Sequence, residues 1–193
     1  MQDDAAASLA PKEDDSLVQL AKEDSDAFVE LYRRHYDMIF RYCVHRLLSR
    51  ELAEDMSSQV FLKVVDRISD FEGNSRQFRA WLYAIATNEI NGHFRKTIRR
   101  TRLIRRVDPH SNGHAAECPS AVMDLANRQA VIREALRSLK PNDQTIITLR
   151  FTEDLSTADI AGVLGIKEGS VRARLSRALK KLRDTLEPVW QAL

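Results

Sequence analysis

The chain has 193 residues, 44% of them hydrophobic, with only six glycines and five prolines, which favours long helices over a turn-rich sheet protein. No run approaches 18 apolar residues, and residues 1–15 are acidic without an apolar core, so the reading expects neither a membrane span nor a signal peptide. Two cysteines, Cys43 and Cys118, make no disulfide framework and fit a reducing cytoplasmic setting. The formal net charge of +2 hides an asymmetry. Residues 1–30 carry nine acids and two bases; residues 91–106 carry seven bases and no acid; residues 167–183 carry seven bases and one acid. Two separate basic blocks suggest two contacts with a polyanion.

In chain order, residues 1–14 read as a disordered acidic terminus. Asp24 or Ser25 caps a helix to about Leu48, carried by a stripe through Phe28, Leu31, Tyr32, Ile39, Cys43 and Leu47. Ser49 caps a second helix to about Ile68, with Val60, Phe61, Val64, Val65 and Ile68 as its apolar face. A short loop spans 71–78, with Gly73 and Asn74 as turn residues and Ser75 as the cap of a third helix. That helix passes Trp81, Leu82, Ile85, Ile90 and Phe94 into the basic run.

Two prolines, a glycine and little periodicity make 107–124 a linker. The expected organisation is all-α: two small helical domains, 15–106 and 125–193, joined flexibly. A helix is expected at about 121–139, ended by Pro141, with Asn142 capping the next one. Shorter helices follow at about 156–164 and at 169–186, before Pro188.

The last two form a helix-turn-helix: Ser156 caps the first, Gly165 ends it, and Glu168 or Ser170 starts the second. At about 100° per residue, Val171, Leu175, Ala178, Leu182 and Leu186 fall in one sector. Gly169, Arg172, Ala173, Ser176, Arg177 and Lys180 fall opposite. Small residues there permit close approach to base edges, arginine pairs bidentately with guanine, and the later lysines suit phosphate.

These residues resemble a family. Residues 149–183, LRFTEDLSTADIAGVLGIKEGSVRARLSRALKKLR, resemble the fourth domain of extracytoplasmic-function (ECF) sigma factors of the sigma-70 family. Residues 53–64, AEDMSSQVFLKV, resemble their polymerase-binding segment, and 78–88, FRAWLYAIATN, the segment reading the −10 element. The family usually carries Gln-Glu before Val-Phe where this chain has Ser58-Gln59.

The resemblance implies a non-enzymatic factor that directs core RNA polymerase to promoters and assists strand opening, with no cofactor and no metal. Its implied partners are the β′ clamp helices and β flap region of the polymerase, promoter DNA and a regulatory anti-sigma factor. Docking would use Asp55, Met56, Gln59, Phe61 and Lys63; the −10 element would meet Phe71, Gly73, Asn74, Ser75, Trp81, Asn88, Arg95 and Lys96. The −35 element would meet Ser170, Arg172, Ala173, Arg174, Ser176, Arg177 and Lys180. The rival readings are an operator-binding helix-turn-helix regulator and a sequestering protein-interaction module. His110, His114 and Cys118 are spaced four apart as metal ligands on a helix would be, but Pro109, Gly113 and Pro119 oppose a helix there.

Overall fold

The computed structural model of the chain describes residues 11–107 and 131–191, with side chains at 15–100 and 131–187. The described residues form helices joined by short turns, without strands. Helix α1 spans Pro11–Leu20, α2 Ser25–Leu47, α3 Arg50–Arg67 and α4 Ser75–Val107, with a 3-10 turn at Ile68–Asp70. After the gap come α5 (131–137), α6 (Pro141–Phe151), α7 (Thr157–Leu164) and α8 (Glu168–Gln191). The candidate metal set His110, His114 and Cys118 lies outside the described residues, as does most of the expected linker.

Local chemistry sets the helix ends. The Asp24 carboxylate accepts from the Asp26 N–H to open α2, and Leu48 closes that helix in the left-handed region at φ 56°. The Ser49 hydroxyl accepts from the Leu52 N–H to start α3. At α4, Asn74 rather than Ser75 is the cap: Asn74 Oδ1 accepts from the Gln77 N–H while Gln77 Oε1 accepts from the Asn74 N–H, both at 2.9 Å. At α6 the cap is Lys140 rather than Asn142, and Pro141 takes the first turn, where its missing N–H costs nothing. The last helix continues beyond Pro188 to Gln191. Helix α1 corrects the expected disorder over 11–14; Val18 within it and Ala21 in the turn just after it, 0% and 5% exposed, pack into the core.

Helices α2, α3 and α4 pack around that core, where Leu31, Ile39, Tyr42, Val60, Phe78 and Leu82 are fully or almost fully buried. The Tyr42 hydroxyl lies 2.8 Å from Thr87 Oγ1, which satisfies a polar group inside an apolar interior. Cys43 is likewise buried, and burial pushes its thiol up to about 11, so it behaves as a small hydrophobe.

The C-terminal helices lie against this bundle, α6 on α2 and α7 on α4. Glu153 sits at the junction, 4% exposed. Its Oε2 accepts from Tyr83 Oη at 2.7 Å and from Arg41 Nη2 at 3.3 Å, while its carbonyl accepts from Arg79 Nη2 at 3.0 Å. Burial and the Glu153 carboxylate push the Tyr83 hydroxyl far above the usual tyrosine range. A second bond between the halves is bidentate: Arg76 Nε and Nη2 donate to the Asp159 carboxylate at 2.9 and 3.0 Å. The Arg76 guanidinium holds the Asp159 carboxyl below the usual carboxylate range.

Candidate nucleic-acid and polymerase interface

The helix-turn-helix is built by short-range bonds. Ser156 Oγ accepts from the Asp159 N–H at 3.1 Å and Asp159 Oδ2 accepts from the Ser156 N–H at 3.3 Å, a complete capping box at the start of α7. Gly165 ends the helix at φ 63°, a conformation that penalises a Cβ, and the Ile166 N–H returns to the Ala161 carbonyl at 3.1 Å. Thr157 Oγ1 then donates to Glu168 Oε1 at 2.6 Å, tying the first turn of α7 to the first turn of α8. That hydroxyl first, and Arg172 after it, hold the Glu168 carboxyl below its ordinary range.

Helix α8 has two opposed faces. Val171 and Ala178 are 0% and 3% exposed, and Leu175 and Leu182 pack beside them. Ser170, Arg172, Ala173, Ser176, Arg177 and Lys180 are all exposed. Arg174, placed by the sequence reading with the DNA-facing residues, is half-buried and lies 3.7 Å from Asp143 on α6. Arg172 pairs with Glu168 one turn back at 2.9 Å, a largely exposed contact that is cheap to exchange for another acceptor. This face offers two exposed guanidinium forks, two hydroxyls, an ammonium and a small methyl group to one groove.

The expected 71–78 loop is shorter than its sequence suggested: Ser75–Phe78 are the first turn of α4, and only 71–74 lie outside helix. Gly73 has φ 153°, and a Cβ there would meet Gln77 Oε1 at 2.8 Å and Phe71 at 3.0 Å, so the position requires glycine. The Ser75 N–H donates to the Asp15 carboxylate from α1, which lowers that carboxyl's pKa. Phe71 is only 8% exposed and packs on Phe78 and Trp81, with ring centroids 5.4 and 5.1 Å apart. It is a core residue in this conformation, not a free stacking platform. Trp81 is half-buried, and Asn88 is exposed. Trp81, Asn88 and Arg95 recur every seven residues, so they lie along one side of α4. Arg95 and Lys96 are exposed beyond them.

On α3 the structure rearranges the expected docking set. Asp55 and Gln59 are exposed. Met56 and Phe61 point into the core, 6% and 5% exposed, so they support the helix rather than present themselves. Lys63 is drawn to Glu89 of α4. The exposed large apolar residues of α3 are instead Leu52, Leu62 and Val65, the last two most so at 65% and 52%. Val65 had been expected on the buried face. Asp55, Gln59, Leu62 and Asp66 form an i, i+4, i+7, i+11 stripe, the spacing of a helix surface that meets another helix. An apolar residue left outside at this spacing was the missed signal.

Among the described residues no group of three or more His, Cys, Asp or Glu side chains is placed to hold a metal, and no helix is long and apolar enough to cross a membrane.

The comparisons with known proteins agree with this geometry. The sigma-70 region 2 model matches residues 31–100 and the sigma-70 region 4 model matches residues 129–182. The ECF RNA polymerase sigma factor BldN of Streptomyces coelicolor is 33% identical over 155 residues, covering 80% of this chain and 58% of BldN. The sigma factor YlaC of Bacillus subtilis is 26% identical, covering 80% of this chain and 89% of YlaC. The chain therefore spans little more than half the length of the first relative and most of the second. Among solved structures, CnrH in complex with the cytosolic domain of CnrY superposes with a TM-score of 0.66 at 23% identity, covering 91% of this chain and 97% of that one. Sigma factor RpoE of Bartonella quintana, in complex with the anti-sigma factor NepR, gives 0.63 at 24%, covering 83% and 96%. Both share the fold. With region 2 matched on the α2–α4 bundle and region 4 on the helix-turn-helix, in that order, the chain belongs to the ECF subfamily of sigma-70 RNA polymerase sigma factors.

Proposed function

We propose that this chain directs core RNA polymerase to specific promoters and assists strand opening at the −10 element, acting by binding alone and in the cytoplasm. Residues 15–106 form the unit that meets polymerase and the −10 strand, residues 125–193 the unit that meets the −35 duplex, and 107–124 the tether between them. The observation that carries the reading is α8: one face closed by Val171 and Ala178, the other presenting Arg172, Ser176 and Arg177 to solvent.

In this reading Asp55, Gln59, Leu62 and Asp66 meet a partner helix of the polymerase. Trp81, Asn88, Arg95 and Lys96 follow the separated strand, with Asn88 bonding an unstacked base and the cations taking phosphates. RpoE and NepR are seen together as sigma and anti-sigma factor. We extend that partnership in kind to this chain, with the closed packing around Glu153 as the inactive arrangement. Arg76 and Arg79, at the entrance to the −10 helix, are both held by the C-terminal half in that arrangement, so the reading requires it to open.

Asn88 gives the direct test. Asn88→Ala removes one exposed amide from α4 and no core contact. Permanganate reactivity at the −10 bubble should fall about tenfold, the worth of one or two hydrogen bonds, while protection of the −35 duplex stays unchanged. Wild-type opening by the variant would reject the base-capture role.

A further inference from the structure

The pocket between the two halves has a chemistry that promoter binding does not use. It has a volume of about 330 Å³ and is walled by α2 and α4 on one side and α5 and α6 on the other. The last turn of α2 brings His45 and Arg46, and α5 brings Arg133 and Arg137. Phe94, Leu47, Leu48 and Leu136 supply apolar surface, and no acidic side chain lines it.

Arg46 is the informative residue. It is 5% exposed, yet every partner it has is neutral: Nη1 donates to Gln144 Oε1 at 3.0 Å and Nη2 to the Pro141 carbonyl at 3.4 Å. Its guanidinium carbon lies 5.8 Å from the Phe94 ring centre, and its Nε is buried with no acceptor. Gln144 cannot turn away, because its own amide nitrogen is spent on the Leu139 carbonyl at 3.0 Å. A buried cation without a counter-ion is costly, and burial pulls this guanidinium's pKa down. Arg133 has no carboxylate within ion-pair reach among the described residues, and Arg137 has only Glu134 at 3.7 Å, both of that pair exposed. An anion seated here would meet the Arg133 and Arg137 guanidinium groups and the edge of Arg46, with an aromatic ring and leucines beside it.

We propose that this pocket binds a small organic anion with an apolar or aromatic body, its acidic group on Arg46, Arg133 and Arg137 and its body against Phe94 and Leu136. The volume suits a small molecule and is too confined for a folded partner. Because Arg46 and Phe94 belong to one half of the chain and Arg133, Arg137 and Gln144 to the other, the ligand bridges the halves. It binds the packed arrangement and not the separated one, so its occupancy opposes opening.

The probe is 1-anilinonaphthalene-8-sulfonate, an aromatic body carrying one sulfonate, titrated into the full chain and followed by fluorescence. One saturable site per chain is expected. The neutral analogue N-phenyl-1-naphthylamine should bind at least tenfold more weakly, as should inorganic sulfate measured by competition. Arg133→Ala, at the exposed rim and outside the core, should weaken dye binding about tenfold with an unchanged melting curve. Arg46→Met should do the same or more; if that variant does not fold, Arg133→Ala decides alone. Equal affinity for the charged and neutral dyes, or full affinity in a folded Arg133→Ala, would overturn the proposal. Binding is read without polymerase or DNA, so failure here leaves the promoter reading intact, and failure of that reading leaves this one standing.

Discussion

Phe78→Ala costs about 3–5 kcal/mol of folding stability, the range for truncating a fully buried aromatic side chain. Phe78 is fully buried, between α2 and the segment that leads into α4. Its ring meets His35 and Phe71 edge-on at 5.4 Å and tilts against Trp81 at 5.7 Å. It also stands one turn after the Asn74 cap, its N–H bonded to the Asn74 carbonyl at 2.8 Å. The cavity left by alanine therefore opens beside the 71–74 turn, and neighbouring rings can collapse only by abandoning their own contacts. The melting midpoint should drop by on the order of 10 °C, with Trp81 fluorescence shifting early in the transition. Phe78→Leu retains most of the volume and should cost under half as much. A midpoint for Phe78→Ala within two or three degrees (~1 kcal/mol) of the parent chain would show that the ring is not the core residue described.

Arg172→Ala should lower initiation from a −35-dependent promoter roughly fivefold to a hundredfold, the equivalent of about 1–3 kcal/mol for one bidentate base contact. In the free chain this guanidinium pairs with Glu168 while its side chain stays 66% exposed, so little is lost when it swings to a base edge. The loss should vanish on a template whose contacted base pair is already changed, because a base contact can be removed only once. Lys180→Ala belongs to the same face but is expected to act differently. It should weaken all templates alike and reduce the salt dependence by about one unit of slope, as a phosphate contact does. An Arg172→Ala chain that loses equally on matched and changed templates would make Arg172 a phosphate contact as well.

The helix-turn-helix was the most legible part of the molecule. Its cap, its left-handed glycine and its two faces all follow from spacings within about thirty residues, and Ser156, Gly165, Val171 and Ala178 stand where periodicity puts them. Other features depend on what a helix packs against. Met56, Phe61, Leu62 and Val65 are all apolar, and periodicity alone does not tell which of them a second neighbour will cover. Helix α3 is wedged between α2 and α4, which buries the first two and leaves the others outside. Helix α1 was hidden by its acidic composition; only Val18 and Ala21, against a core assembled elsewhere, reveal it. Pro141 and Pro188 read as breaks, yet one opens a helix and the other lies inside one. The junction at Glu153 was out of reach altogether. Its partners Arg41 and Tyr83 lie 112 and 70 positions away, and a lone glutamate in a turn carries no local sign of burial.

Transcription in vitro with purified core polymerase, mapping start sites with and without this chain on a genomic template library, puts the whole account at risk. A sigma factor with the interfaces described here must create start sites that core polymerase alone never uses. Those sites should share two sequence elements, one read as duplex through α8 and one as a single strand along α4. An unchanged map, or a chain that never joins the polymerase, would contradict the account.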